Sequence, residues 1–210
     1  MAEAGQRARR LAAKAARRKA VVAAKKKADT SARGFGERIR IASSCPVARC
    51  VMPAGLFETG IGHVILARAL PSGLLGCGFF LIDPFCLGVK DTFYSEIGRD
   101  ELQSRLDAQS EFQAFVDADP ALARKMISDL VTYADGLGLA PHKDYRLVEA
   151  IFGTVDAGSC TETFTFGKDG KPFYVTGPLD TPARKRIVCA TLQERFGTGG
   201  WDFLVDVRGL

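Results

Sequence analysis

The chain has 210 residues, 47% hydrophobic and 25% charged, which is enough for one sizeable domain with an appendage and is ordinary for a globular protein. No apolar run approaches the ~18 residues of a membrane-crossing helix, and no apolar core of a secretory signal follows the basic N-terminus. The net charge of +5 is unevenly held: residues 1–33 carry eleven Lys/Arg against Glu3 and Asp29, a net +9, while the remainder has eighteen basic and twenty-two acidic residues, a net −4.

Residues 1–33 are rich in Ala, Arg and Lys and lack aromatics. Such a segment buries too little apolar surface to fold onto the body and is expected to be disordered when free. Its helix propensity is nonetheless high. Drawn as a helix, it gathers Arg7, Arg10, Lys14, Arg17, Arg18 and Lys25 on one face. Few acids stand at i±4, so like-charge repulsion opposes that helix until a polyanion removes it. Nucleic acid, RNA ahead of DNA, is the expected partner. An organelle-targeting peptide is an alternative, although the weak apolar face counts against it and against membrane binding. Residues 30–36 (TSARGFG) read as a linker, which divides the chain into a tail and linker, 1–36, and one globular domain, 37–210.

Residues 46–52 suit a short strand, broken by Pro53-Ala54-Gly55. Residues 61–70 and 74–82 are apolar arms joined by Pro71-Ser72-Gly73, a β-hairpin pattern. The second arm delivers the chain to Asp83-Pro84 and a corner containing Cys86, Gly88, Lys90 and Asp91. After Tyr94 the pattern turns helical. Leu102 and Leu106 stand at i, i+4, and Phe112, Phe115 and Val116 follow. Asp119-Pro120 forms an N-cap with proline at the first helical position, opening a helix with the stripe Leu122, Met126, Leu130 and Ala134. Asp144 is a candidate cap for a short helix to Phe152. Residues 161–166 (TETFTF) and 171–176 (KPFYVT) flank Gly167-Lys168-Asp169-Gly170 and suggest a second hairpin. Thr181-Pro182 opens a helix expected to bury Ile187, Val188 and Leu192, and residues 201–207 form the last strand. Arg184, Lys185 and Arg186 at that helix's start are unfavourable for its dipole. They mark either a tolerated cluster or a second anion contact. Blocks of strands and helices indicate an α+β fold. Its mixed or mainly antiparallel sheet is built from two β-hairpins plus a C-terminal strand and packs against several helices.

Two constellations could carry chemistry. Cys86 would need a base or cation to become a nucleophilic thiolate. Lys90 lies four residues on, and His63 stands on the paired arm, with His142 as the other histidine. Alternatively, Asp83 and Asp91, with Asp169 or Asp180, could hold a divalent cation for phosphodiester hydrolysis, although aspartate is also the ordinary residue of turns. Cys45 and Cys50 lack a second pair at zinc-ribbon spacing. Residues 167–170 lack the frame of a phosphate loop. The six cysteines are scattered through apolar runs, as free thiols are in a reducing compartment.

The segment FLIDPFCLGVKDTFY (80–94), with FGKDGKPFYVTGP (166–178), resembles an uncharacterised bacterial protein family sharing "LVD-x-x-CLGVKD-x-F" and "FGKDGKPFY" segments. The resemblance covers residues 45–178 and implies a bacterial cytosolic protein, without an activity or catalytic residues. The expectation is therefore a cytoplasmic protein that associates with nucleic acid through its tail, with no cofactor and no membrane contact. A protein partner for the acidic body is left open. The alternative is an enzyme at the Asp83–Asp91 corner, either a Cys-dependent hydrolase or transferase or a metal-dependent nuclease.

Overall fold

The computed structural model describes residues 34–110, 112–177 and 180–205. The chain divides into two units, Met1–Arg38 and Ile39–Leu210. The described residues of the first, 34–38, are helical. The tail positions Arg7, Arg10, Lys14, Arg17, Arg18 and Lys25 lie outside the described residues.

The second unit opens with helical residues 39–43 (α1). The next elements are β1 (Val47–Pro53), α2 (Leu56–Thr59), β2 (Gly62–Ala69), β3 (Leu75–Asp83) and β4 (Gly88–Ile97). The predicted first hairpin is present: β2 and β3 pair antiparallel from Gly62↔Ile82 to Ala69↔Leu75. Strand β4 was not expected. Residues 88–97, read as a corner leading to helix, instead pair with β3 along its length. Then come α3 (Arg99–Ser110), β5 (Phe115–Asp117), α4 (Pro120–Gly136) and α5 (Tyr145–Val148), followed by a 3-10 turn at Glu149–Phe152. Phe115 and Val116 thus belong to a strand pairing with β1, and Phe112 is exposed. The main sheet runs β4-β3-β2-β1-β5 with antiparallel neighbours throughout.

Alternation distributes the sheet's side chains to two faces. Ile65, Ala67, Leu75, Cys77 and Phe79 pack with Leu102 and Leu106 of α3. On the opposite face Phe80 meets Phe152 of the 3-10 turn, with ring centroids 5.6 Å apart. Helix α4 packs on β4 and β1 through a buried stripe that includes Met126, Ile127 and Leu130. Its predicted cap forms: the Asp119 side chain accepts from the Ala121 N–H.

The second hairpin is corrected. Residues 167–170 do turn, with a bridge between Lys168 and Lys171, but residues 161–166 form no strand. Phe164 and Phe166 dock against Phe57, and Phe166 also meets Tyr133. The aromatic alternation therefore serves side-chain packing and not a hydrogen-bonded ladder. The returning arm, β6 (Phe173–Thr176), pairs in parallel with β7 (Asp202–Val205) as a separate two-stranded sheet. Helix α6 (Pro182–Phe196) makes the crossover, as parallel pairing requires. It buries Val188 and Leu192, whereas Ile187 is exposed. The class is α+β. No described helix is long and apolar enough to cross a membrane.

Candidate functional site

The corner after β3 is assembled from its own aspartate. Asp83 Oδ1 accepts from the N–H groups of Phe85 and Cys86, both at 3.0 Å, closing a tight Asx-type turn. Gly88 leaves the turn at φ 68°, and a Cβ there would stand 2.7 Å from the Ala134 Cβ, so α4 sits directly on the corner. The N–H of Gly167 donates to Pro84 O (2.9 Å). Phe85 O accepts from the Phe173 N–H (3.1 Å) and the Tyr133 hydroxyl (3.2 Å). The two sequence segments that stood out, 80–94 and 166–178, therefore meet in space.

Strand β4 carries a bulge. Leu81 pairs with Asp91 and Ile82 with Val89, leaving Lys90 without a cross-strand partner. Bulges re-aim side chains, and this one directs Lys90 into the protein. Its ammonium lies 3.2 Å from Asp180 Oδ2, with both side chains buried. Asp180 Oδ2 also accepts from the Gly177 N–H (2.8 Å) and the Tyr174 hydroxyl (3.3 Å), and Oδ1 lies 3.7 Å from the Arg184 guanidinium. Burial disfavours the Asp180 charge, but the Gly177 N–H, Lys90 and Arg184 outweigh it and hold the carboxyl below its usual range.

A cavity of about 320 Å³ opens beside this pair. Asp83, Phe85 and Lys90 contribute from the first segment, and Lys168, Phe173 and Gly177 from the second. Glu58 and Thr59 of α2 stand at another side. Burial pushes the Asp83 carboxyl up to about 6, against the lowering effects of the Cys86 N–H and Lys90.

This shift has a sign that can be tested. The usual carboxyl value is 3.8, so an unfolded chain releases the proton first as pH rises. Asp83's contribution to stability is whole below pH ~4 and is lost as pH climbs through ~6, a difference of about 3 kcal/mol. Asp83→Asn retains the side-chain oxygen for both N–H groups and has no charge to bury. In urea denaturation the variant should gain about 2 kcal/mol over wild type at pH 8 and nothing at pH 4. An equal effect at both pH values would show that the native carboxyl is ionised throughout.

The predicted thiol site does not assemble. Cys86 is 0% exposed and packs with Leu87, Ala134, Leu139, Tyr174 and Val188. Burial, and then the Asp83 charge, push its thiol far up, opposite to what a nucleophile needs. Neither histidine reaches it. His142 Nε2 lies 3.5 Å from Asp91 Oδ1, at the outer edge of β4, where the His142 N–H donates to Val89 O. His63 is half-buried. Burial lowers its pKa against raising effects of Gln109 and Asp91.

The carboxylates are likewise dispersed. Asp83 lines the cavity, Asp180 pairs with Lys90 and Asp91 joins His142, while Asp169 occupies an exposed turn at φ 53°. Among the described residues, no group of three or more His, Cys, Asp or Glu is placed to hold a metal ion. Of the basic cluster on α6, Arg184 turns back to Asp180, Lys185 is half-buried and Arg186 exposed.

Sequence reasoning named Asp83, Lys90 and Asp180 but did not join the last two. It missed Tyr174, Gly177 and Lys168 as parts of the site. Comparison with protein families, curated proteins and solved structures finds no match. The resemblance at 80–94 and 166–178 rests on those motifs alone.

Proposed function

We propose that the protein associates with nucleic acid, RNA before DNA, through its basic N-terminal segment. The observation that carries this reading is the division of charge, +9 over residues 1–33 against −4 over the rest. A dense cationic run neutralises phosphates and releases counterions, an attraction that needs no base-specific contact. The segment has no aromatic residue, so base stacking adds little. Arg186, exposed on α6, is a further cation available to the polyanion.

The test is fluorescence anisotropy with a labelled single-stranded RNA and the DNA of the same sequence. Wild type is compared with a full-length variant carrying Gln at positions 7, 10, 14, 17, 18 and 25. Wild-type affinity should fall steeply with salt, with a log–log slope of about −4 if six phosphates are neutralised. The variant should bind at least ~10-fold more weakly with a flatter slope. Equal binding by both proteins would end the proposal.

A further inference from the structure

We propose that the cavity between the Asp83 corner and the β6–β7 sheet binds a small organic carboxylate with an apolar body. Its carboxylate would be held by Lys90 in the field of Lys168. This site is independent of the N-terminal segment, and neither reading stands or falls with the other.

The cavity, about 320 Å³, is at the lower end of the range for small-molecule sites. Its walls converge from α2, the end of β3, the β4 bulge, the 167–170 turn and both strands of the small sheet. Phe85, Phe173, Val175 and Leu204 supply apolar surface, and Lys90, Lys168, Asp83 and Glu58 set charges around it, the mixture of apolar wall and placed polar groups that a ligand pocket uses.

The charges select the ligand's sign. Lys90 is only 8% exposed. An ammonium has three hydrogens to donate, and among the described residues Asp180 Oδ2 is its one acceptor. Gly177 lets that ammonium approach the backbone closely: a Cβ there would stand 2.7 Å from Lys90 Nζ. Lys168 is exposed. Its Nζ lies 4.8 Å from the Phe173 ring centroid and 5.9 Å from that of Phe85, held over the aromatic wall by cation–π attraction. Among the described residues Lys168 forms no ion pair with a carboxylate.

The buried negative charges nearby are already committed. Asp180 is shared by the Gly177 N–H, Tyr174, Lys90 and Arg184. Asp83 Oδ1 holds two N–H groups, and its carboxyl, which burial pushes up to about 6, faces the Lys90 charge. Glu58 is exposed to solvent. The two buried carboxylates, Asp83 and Asp180, already answer to backbone N–H groups and to Lys90, and a cationic ligand would compete with Lys90 for them. An anionic one finds a buried ammonium with hydrogens to spare and an aromatic wall for its body.

The experiment is calorimetric titration of the full chain with 3-phenylpropionate, 3-phenylpropan-1-ol and 3-phenylpropylamine, which share one carbon frame. The carboxylate should bind one-to-one with Kd in the millimolar range or tighter. The alcohol should bind about tenfold more weakly and the amine not measurably. Lys168→Gln, at an exposed position, should weaken carboxylate binding several-fold at an unchanged melting temperature. Val175→Phe, which fills the cavity and leaves every charge in place, should abolish binding. No binding of 3-phenylpropionate, equal binding of the alcohol, or wild-type binding by Val175→Phe would each overturn the proposal. If Val175→Phe does not fold, the ligand series and Lys168→Gln decide the matter alone.

Discussion

Asp180→Ala is expected to lower the unfolding free energy by about 4 kcal/mol at pH 7, because it strands a buried cation. The Lys90–Asp180 pair lies 3.2 Å apart, and the side chains are 8% and 1% exposed. Removing the carboxylate leaves the ammonium desolvated and takes the acceptor from the Gly177 N–H and the Tyr174 hydroxyl. Asp180→Asn keeps an acceptor oxygen in place and should cost less, by about 1–2 kcal/mol. Because the Asp180 carboxyl is held below its ordinary range, its contribution is present above pH ~4 and fades as the pH drops through the lowered folded value. Wild type should therefore lose stability in acid that the Ala variant has already lost. Urea denaturation of the three proteins at pH 7 and pH 3 measures this. A cost below ~1 kcal/mol for Asp180→Ala would show that Lys90 reaches water when its partner is gone.

The legible parts of the fold were those in which neighbouring residues decide the structure. The β2–β3 hairpin announces itself by two apolar arms and a short Pro-Ser-Gly connection. Helix α4 announces itself by Asp119-Pro120 and a stripe at helical spacing. Strand β4 did not, because its bulge at Lys90 shifts the inward–outward alternation by one residue. The charged pair Lys90-Asp91 then looks like a turn. The parallel β6–β7 pairing was hidden for another reason. A turn-forming GKDG beside an alternating TETFTF predicts a hairpin, whereas the true partner of β6 arrives only after α6.

The site shows the same divide. Asp83 and Lys90 stood out locally, but Asp180 lies ninety positions from Lys90, and only the folded chain joins them. Cys86 misled because reactive residue types cluster around it in sequence. In space its neighbours are Leu87, Ala134 and Val188. The turn carries Cys86 to the packed side of the corner and leaves Asp83 and Phe85 lining the cavity.

Arg68→Met should cost about 3–5 kcal/mol, although Arg68 touches neither the cavity nor an acid. Arg68 on β2 is 4% exposed. Its guanidinium donates to Cys45 O (2.8 Å), to Ile151 O (3.0 Å) and to Phe152 O. Burial opposes its charge, yet an arginine stays protonated in a protein. Three carbonyl dipoles therefore take the place of a counter-ion. They belong to the segment after α1 and to the 3-10 turn, so one side chain fastens both to the opposite face of the sheet from α3. Methionine fills much of the same space but leaves these carbonyls without a buried donor. Lysine keeps the charge but cannot reach three oxygens with a rigid planar fork, so Arg68→Lys should recover less than half of the loss.

Gly153, next to the turn at φ 54°, tests the same junction independently. A Cβ there would stand 2.4 Å from Ser43 O, and Gly153→Ala should destabilise by at least ~1–3 kcal/mol. Hydrogen exchange separates local from global loss. Arg68→Met should accelerate exchange in residues 149–153 before it does so in β2 and β3. Uniform acceleration across the sheet would instead make Arg68 a component of the global core, and unchanged protection at 149–153 would show that the turn is held by Phe80–Phe152 packing without it.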